Sequence, residues 1–182
     1  MKKDLVLVID MQNVYGPEGA WCCPKAEAAA GKIKSLLASG KDLDVIFTQF
    51  LAAEEPVGVW KDYNLENAEV NADPVANRMM DTFAEEVKNY PLYSKSTYSS
   101  LEVPEVRRAA EAADHVVLTG VVAECCVLAT AMALIDAGAS VIYLTDGVAG
   151  ISDETEKATE LVLAGLEPLH VRRMTVEEYL KL

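Results

Sequence analysis

The sequence predicts an α/β protein of three layers, a Rossmann-like α/β/α fold whose mostly parallel sheet has about six strands. Two observations support this prediction. Short apolar runs rich in β-branched residues, such as Leu5–Ile9, alternate with longer stretches of helical period. These runs are apolar at consecutive positions rather than at alternate ones, which is typical of strands that are buried on both faces.

The predicted elements follow one another without a repeat or a linker. The predicted strands are 5–9, 43–48, 91–94, 115–119, 140–145 and 168–171. The predicted helices are 25–39, 73–87, 104–113, 124–137, 153–164 and a short one after 175. Gly40 lies where a helix should end, Pro104 suits a first helical turn, and Asp153 and Thr175 are candidate N-caps. Residues 49–71 show no clear period and form a loop long enough to be functional.

The composition limits the possible functions. The 182 residues, of which 51% are hydrophobic, suit one domain with a packed core. A net charge of −13 repels phosphate backbones and anionic lipids, so neither nucleic acid nor a membrane is an expected partner. No apolar run reaches the roughly 20 residues of a spanning helix, and the first residues lack a signal-peptide cleavage site. We therefore expect a cytoplasmic protein that acts on a small molecule.

The four cysteines occur as two adjacent pairs, Cys22–Cys23 and Cys125–Cys126. In a reducing compartment they should be thiols. A zinc site more usually shows a C-x-x-C spacing, because neighbouring residues cannot easily turn both sulfurs to one ion. The sequence also lacks the glycine-rich motifs of dinucleotide and P-loop sites. Neither a metal nor a cofactor is therefore expected.

Three reactive side chains follow predicted strands, and so should meet at the carboxyl edge of the sheet, where open sheets of this class bind ligands. Asp10 follows the first strand, Lys95 the third, and Cys126 lies in the first turn of the helix after the fourth. Helix N–H groups there should stabilise a thiolate and, after its attack on a carbonyl, an oxyanion. Asp10 could then act as the general base, with Lys95 holding the charges in place.

Ordinary structural roles remain open for each of these residues on position alone. Cys126 could be a buried structural thiol, Asp10 a cap of the turn after the first strand, and Lys95 a solvated surface lysine. His115 and His170 both fall in predicted strands, 55 residues apart, and nothing in their positions supports a Cys–His pair.

Three segments together resemble the isochorismatase-like cysteine hydrolase superfamily, which includes nicotinamidases, carbamoylsarcosine and ureidoacrylate amidohydrolases, and isochorismatase itself. They are Val8–Asn13 (VIDMQN), Ser94–Ser99 (SKSTYS) and Thr119–Ala131 (TGVVAECCVLATA). The order and spacing of the motifs are those of the family, and the resemblance covers essentially the whole chain. Any one segment alone would be a weak signal.

The resemblance implies a catalytic triad of Asp10, Lys95 and Cys126, and it assigns the nucleophile to Cys126 rather than Cys125. It also implies a cis peptide bond directly before Val122. By analogy, the backbone N–H groups of Val122 and Cys126 would form the oxyanion hole. The activity implied is hydrolysis of a C–N bond through a thioester.

The chain departs from some relatives in ways that bear on substrate. Nicotinamidases usually carry an Asp-x-His motif and further histidines after the second strand, where they bind a metal; here Thr48–Ala52 reads TQFLA. A nicotinamidase and a metal are therefore disfavoured, although the first remains an alternative. Isochorismatase itself cleaves a vinyl ether and lacks the nucleophilic cysteine, so Cys126 argues against that reaction. A metal-independent amide, ureide or carbamoyl hydrolase is the main prediction.

Tyr15, Trp60 and Tyr98 are the predicted substrate-binding aromatics, with ordinary packing as the alternative for each. Two other functions stay open: a non-catalytic binding or assembly protein of the same fold, and a redox role for Cys125–Cys126, which the strained ring of an adjacent disulfide disfavours. The predicted helix 124–137 is apolar nearly all round, so its outer face is expected to meet another subunit. The resemblance implies that the assembly is a homodimer or homotetramer.

Overall fold

The computed structural model describes residues 3–182. Its centre is a sheet of six strands in the order β3-β2-β1-β4-β5-β6, and every neighbouring pair runs parallel. The strands are β1 (Asp4–Ile9), β2 (Leu43–Phe50), β3 (Leu92–Lys95), β4 (Val116–Val121), β5 (Val141–Ala149) and β6 (Val171–Met174). The predicted α/β fold with a mostly parallel sheet of about six strands is confirmed.

Helices cover both faces of this sheet. They are α1 (Ala26–Leu37), α2 (Trp60–Glu66), α3 (Ala68–Ala72), α4 (Glu86–Asn89), α5 (Pro104–Ala112), α6 (Leu128–Asp136), α7 (Asp153–Ala164) and α8 (Val176–Tyr179). Val6 and Val8 of β1 pack in one apolar core with α1 and α8, whereas Leu5 and Leu7 pack in a second core with α5, α6 and α7. Alternate residues of the central strand therefore point into two cores, which gives the three layers. No helix in residues 3–182 is long and apolar enough to cross a membrane.

The strand order places the predicted site residues at one edge. β1 lies between β2 and β4, and its last residue, Ile9, is in register with Thr48 of β2 and Gly120 of β4. Lys95 ends β3 opposite Phe50 of β2. The carboxyl ends of β1, β3 and β4 therefore meet at the point where chain connections diverge to the two sides of the sheet, the usual ligand position in such folds.

The predicted helix 73–87 is wrong. Residues 73–80 form turns, followed by a 3₁₀ turn at Asp81–Phe83 and the short α4. Side chains compete with the helical backbone here: Asp73 Oδ1 accepts from the N–H of the next-but-one residue at 2.8 Å, and the Asn77 amide donates to three backbone carbonyls. Met80 N–H donates to the carbonyl of Met11, so this segment is tied to the start of the chain instead.

The segment 49–71, predicted as a loop, contains the end of β2 and two short helices, α2 and α3. Other boundaries also differ. The helix after β4 begins as a π-helical turn, Ala123–Val127, and Ser152 rather than Asp153 is the N-cap of α7, in a reciprocal capping box with Thr155. Thr175 caps α8 as predicted.

The last strand was predicted at 168–171 but runs from Val171 to Met174, because residues 165–170 form successive turns that end with His170 N–H donating to Leu166 O at 3.1 Å. His115 and His170, which were expected inside strands, therefore lie just before β4 and β6. His115 Nδ1 lies 2.9 Å from Asp4 Oδ1, a structural contact at the edge of the sheet opposite the predicted site residues.

Gly120 permits the close approach of β4 to β1. Its φ of 105° lies in the region that favours glycine, and a Cβ atom there would lie 2.0 Å from the carbonyl oxygen of Ile9. We expect Gly120→Ala to lower the free energy of unfolding by about 3 kcal/mol, because the neighbouring backbone cannot move aside. Urea unfolding followed by circular dichroism measures this.

Gly31 in α1 offers the matched control, since a Cβ there has no neighbour within 4 Å. Gly31→Ala should raise the free energy of unfolding by about 0.5–1 kcal/mol. A similar loss of stability in both variants would contradict the interpretation of Gly120.

Candidate active site

Asp10 and Lys95 form a fully buried ion pair at the carboxyl edge of the sheet. Lys95 Nζ lies 2.6 Å from Asp10 Oδ2, and both side chains are 0% exposed. The ammonium also donates to the carbonyl of Thr97 at 3.0 Å and lies 5.7 Å from the centre of the Phe50 ring. Burial lowers the pKa of Lys95, but Asp10 and Cys126 together raise it above its usual value, so the lysine is charged at neutral pH. Lys95 is therefore not the solvated surface residue of the alternative interpretation.

The two oxygens of the Asp10 carboxylate have different partners. Thr48 donates to Oδ1 at 2.9 Å, while the backbone N–H of Asp10 donates to the Thr48 carbonyl at 3.0 Å. Oδ2 accepts no well-directed hydrogen bond from residues 3–182 besides its ion-pair contact with Lys95. Asp10 has a φ of 52°, a left-handed conformation that is uncommon for a residue other than glycine. This conformation accompanies the sharp turn that ends β1.

Cys126 completes the group. It is 3% exposed, lies within hydrogen-bonding reach of Asp10 and Lys95, and sits in the π-helical turn that follows β4. Burial raises the pKa of the Cys126 thiol; the negative charge of Asp10 raises it further, and Lys95 lowers it. The net pKa lies well above the usual value, so the thiol is neutral at physiological pH. Burial therefore acts against the stabilisation of a thiolate that the start of a helical segment provides.

A chain of buried hydroxyl groups links the carboxylate to the segment that carries the thiol. Thr48 Oγ1 lies 3.5 Å from Ser100 Oγ, and Thr130 Oγ1 lies 3.4 Å from Ser100 Oγ and accepts from the Ser100 backbone N–H at 2.9 Å. Thr130 also contacts the Cys126 carbonyl, at 2.7 Å. All three hydroxyl-bearing residues are 0% exposed. The chain connects the carboxyl ends of β1 and β2 to the first turn of α6.

The peptide bond between Val121 and Val122 is cis. The π-helical turn begins directly after Val122, whose carbonyl accepts from the N–H groups of Cys125 and Val127, at 3.1 Å each. Val122, the N-cap of the turn, and Cys126 within it are the predicted oxyanion residues, and both are buried.

Lys95→Met should lower the free energy of unfolding by about 3–5 kcal/mol, because it leaves the buried Asp10 carboxylate without its counter-charge. The double variant Asp10→Asn/Lys95→Met should recover most of that loss, since both charges are gone. Urea unfolding at neutral pH measures both. Equal losses in the single and double variants would mean that the buried charge of Asp10 is not what destabilises Lys95→Met.

A cluster of six aromatic rings adjoins the triad. The three predicted aromatics are joined through three others, Trp21, Phe50 and Tyr63, which the sequence analysis did not single out. Neighbouring ring centres in the cluster lie 5.0 to 6.5 Å apart, from Tyr15–Trp21 at one end to Trp60–Tyr98 at the other. The six rings pack against one another, and this arrangement is compatible with a role in substrate binding.

The Cys126 thiol affects the pKa values of two tyrosines in the cluster. Burial raises the pKa of Tyr63 to about 12, with smaller contributions from Tyr98 and Cys126. Burial also raises the pKa of Tyr15 well above its usual value, and the next contributions come from Cys126 and Asp10. Sequence signals for the missed rings existed: Phe50 lies two residues after Thr48 on β2, and Tyr63 lies one turn after Trp60.

One groove of the structure lies away from the triad. A groove of about 970 Å³ runs between the turn 16–20, α1 and residues 69–82, and none of the three triad residues lines it. A second hollow of about 480 Å³ touches Lys95 and residues 102–105 from the outer side of β3. Cys126 is almost fully buried, so the surrounding side chains leave its sulfur nearly closed to solvent in this structure.

Possible metal ligands gather away from the triad. Within residues 3–182, the group of three close His, Cys, Asp or Glu side chains is Asp4, Asp114 and His115, at the amino ends of β1 and β4. Where some relatives were expected to place metal-binding histidines, Thr48 instead donates to Asp10. Cys22, Cys23, Cys125 and Cys126 are free thiols.

The isochorismatase domain family model matches residues 4–172. An isochorismatase-like hydrolase from Alkaliphilus metalliredigens is similar in structure, with a TM-score of 0.78, 22% identity and 98% of each chain covered. A cysteine hydrolase from Pseudomonas syringae pv. phaseolicola gives a TM-score of 0.82 at 19% identity, over 98% of this chain and 91% of that one.

N-carbamoylsarcosine amidase from Thermoplasma acidophilum gives a TM-score of 0.70 at 20% identity, with 96% of each chain covered. At these identities the structural likeness establishes the fold alone. A comparison with curated proteins finds no match. The family model covers most of the chain, and the resemblance seen in the three sequence motifs is confirmed: the chain belongs to the isochorismatase domain family.

Proposed function

We propose that this protein is a metal-independent cysteine amidohydrolase that cleaves a C–N bond of a small amide, ureide or carbamoyl compound. The observation that carries the proposal is the buried group of Asp10, Lys95 and Cys126, in which a carboxylate paired with an ammonium lies beside a thiol whose pKa is raised. A base and a nucleophile within reach of each other, with a third group orienting the base, is the arrangement that covalent catalysis requires.

In the first half of the reaction, Asp10 takes the proton of Cys126 as the sulfur attacks the carbonyl carbon of the substrate. Lys95 stays protonated throughout and holds the carboxylate in place. Starting from a neutral thiol has a chemical advantage, because the proton that Asp10 receives is then available for the departing amine. Collapse of the tetrahedral intermediate releases that amine and leaves a thioester on Cys126.

The tetrahedral intermediate carries a negative oxygen, which needs donors close to the sulfur. The backbone N–H groups of Val122 and Cys126 are our candidates, since Val122 is the N-cap of the turn after β4, Cys126 lies within it, and both are buried. Loss of one such donor typically raises the barrier by about 3–4 kcal/mol.

In the second half, Asp10 takes a proton from a water molecule, which attacks the thioester carbonyl. The acid product leaves, and the proton returns to the Cys126 sulfur. The same carboxylate thus serves both halves of the cycle, and its ion pair with Lys95 holds it in place in each of them.

The substrate would lie among the six rings that adjoin the triad, with Trp60, Tyr63 and Tyr98 moving to admit it. Two of the similar structures are described as a cysteine hydrolase and an N-carbamoylsarcosine amidase, and both descriptions agree with C–N hydrolysis. Flat aromatic faces suit a planar amide or ureide group.

Ammonia release from a panel of small amides, ureides and carbamoyl compounds, with nicotinamide included, tests the proposal. The protein is first treated with a metal chelator, and each reaction is examined by mass spectrometry for an acyl adduct on Cys126. Release by the chelated protein supports the proposal. Release only after a metal is added back would overturn metal independence. Silence across the panel with no adduct would contradict the assigned activity.

A further inference from the structure

Glu124 lies two residues before Cys126 in the π-helical turn, and the mechanism above does not use it. Its Oε1 accepts a hydrogen bond at 3.2 Å from the backbone N–H of Ile151, which follows β5. The contact joins residues 27 positions apart, so it fixes the turn to the loop between β5 and α7. Helical turns of π type are rare and are frequently found at functional sites. The contacts that hold this turn in place therefore bear on the position of Cys126.

The second oxygen of Glu124 is unusually placed. Glu124 Oε2 is buried and has no hydrogen-bond partner among residues 3–182. A Cβ atom added to Gly150 would lie only 2.6 Å from it, so the carboxylate fits against the backbone of the loop at a position that a side chain would fill. A carboxylate oxygen that is buried without a hydrogen-bond partner is uncommon, and its presence calls for an explanation.

The loop that Glu124 contacts is itself held firmly. Glu156 of α7 accepts from the Gly150 N–H at 3.0 Å, and Lys25 contacts Glu156 at 2.5 Å and Asp153 at 2.7 Å. Two carboxylates therefore hold successive N–H groups of one loop, Glu156 from α7 and Glu124 from the turn. Through Glu124, the rigid start of α7 can set the position of the segment that carries Cys126.

We infer that Glu124 is a positioning residue of the active site, which fixes the π-helical turn so that Cys126 stays within reach of Asp10 and its backbone N–H stays directed at the oxyanion. This inference rests on the proposed function. It assigns Glu124 no contact with substrate; the residue acts through the geometry of Cys126. Without the carboxylate, the turn would be free to relax toward ordinary α-helical geometry, which would shift the sulfur.

The test compares Glu124→Ala with Glu124→Gln, and uses Glu154→Ala of α7, an exposed glutamate, as the control for loss of charge. Glu124→Ala should lower kcat by about 10- to 100-fold with little change in KM, the usual cost of a small displacement of a reacting group. Glu124→Gln keeps an oxygen for the Ile151 N–H and should stay within about threefold of the wild type. Glu154→Ala should match the wild type.

Alkylation of Cys126 by iodoacetamide, quantified on its peptide by mass spectrometry, gives a readout that needs no substrate. The rate should change at least severalfold in Glu124→Ala and be restored in Glu124→Gln. If the wild type hydrolyses nothing on the panel, the proposed function fails, but this readout still decides whether Glu124 positions Cys126.

Gly150→Ala keeps the test decisive if Glu124→Ala does not fold, because its new Cβ must displace the Glu124 carboxylate while leaving the residue in place. It should lower kcat in the same direction. Wild-type kcat and alkylation rate in folded Glu124→Ala, or in Gly150→Ala when only that variant folds, would overturn the inference. A higher KM with an unchanged kcat would also overturn the inference, because it would indicate that Glu124 contacts the substrate.

Discussion

Cys126→Ala should abolish amide hydrolysis, a fall of about 10⁴-fold or more in kcat, because a covalent mechanism has no route without its nucleophile. Its stability should change little: the side chain is small, and removing one sulfur from a buried site leaves only a slight void. Ammonia release on the best panel substrate measures the first effect, and urea unfolding measures the second.

Cys125→Ala is the matched control, because it removes the same atom from the adjacent residue. Cys125 is half-buried, its side chain packs at the edge of the core that holds α1, and burial raises its pKa too. We expect this variant to keep most of the wild-type kcat. Comparable losses in the two variants would indicate that the pair acts together, as the redox alternative requires, and full activity in Cys126→Ala would rule out the proposed mechanism.

The sheet was predictable because its signals are local. The strand Leu5–Ile9 consists of consecutive apolar residues, and consecutive burial on two faces requires that pattern wherever the strand lies in the fold. The start of α5 at Pro104 and the cap at Thr175 were also predictable, because each depends on only a few neighbouring residues. Predictions of this kind need no knowledge of distant parts of the chain.

The region 49–89 was poorly predicted because contacts remote in sequence shape it. The Gln12 amide donates to the carbonyls of Phe50 and Asn77 and its oxygen accepts the Phe50 N–H, so residue 12 fixes the ends of two separate segments. No local period encodes such contacts. The helical signal of 73–87 is real in composition, but tertiary hydrogen bonds and the amide of Asn77 prevail over it.

The proximity of the three reactive side chains followed from topology, because parallel strands bring their carboxyl ends to one edge. The residues that organise them were not predictable in the same way. Thr48, Ser100 and Thr130 are ordinary hydroxyl residues in sequence, and only the fold shows that they connect Asp10 to the turn of Cys126. Glu124 lies inside a quoted motif, yet its partner Ile151 is 27 residues away.

The ionisation of the thiol depends on the surroundings of Cys126 as well as on its place in the helical turn. A cysteine at the start of a helical segment was expected to favour the thiolate, because unpaired N–H groups stabilise negative charge. In the structure, burial raises the pKa of Cys126 and Asp10 raises it further. Loss of water contacts disfavours the charged form of any group, so the burial of the site acts against the local stabilisation of a thiolate.

Asp10→Asn should therefore change two properties of Cys126 in opposite directions. Hydrolysis should fall by about 10²- to 10⁴-fold, because the general base is lost. Alkylation of Cys126 by iodoacetamide near pH 7.5 should become faster, because the negative charge that raises the pKa of the thiol is gone while Lys95, which lowers it, remains. Each unit by which that pKa falls increases the thiolate about tenfold below the pKa.

The pH dependence separates this effect from a change in access. Alkylation of the wild type should keep rising above pH 9 because the pKa of Cys126 lies above its usual value of 9.0, and the profile of Asp10→Asn should move to lower pH. Asp44→Asn, which removes an exposed carboxylate from β2, should leave both the profile and the hydrolysis rate unchanged. A variant that merely opened the site would alkylate faster at every pH without moving the profile.

The opposite change in the alkylation rate would identify a different mechanism. Slower alkylation in Asp10→Asn, together with lost hydrolysis, would mean that Asp10 already holds the thiol proton in the resting protein and that the reactive species is a preformed thiolate paired with Lys95. Proton transfer would then precede substrate binding instead of accompanying the attack. The sign of one alkylation ratio thus distinguishes a base that acts during the attack from one that has acted before it.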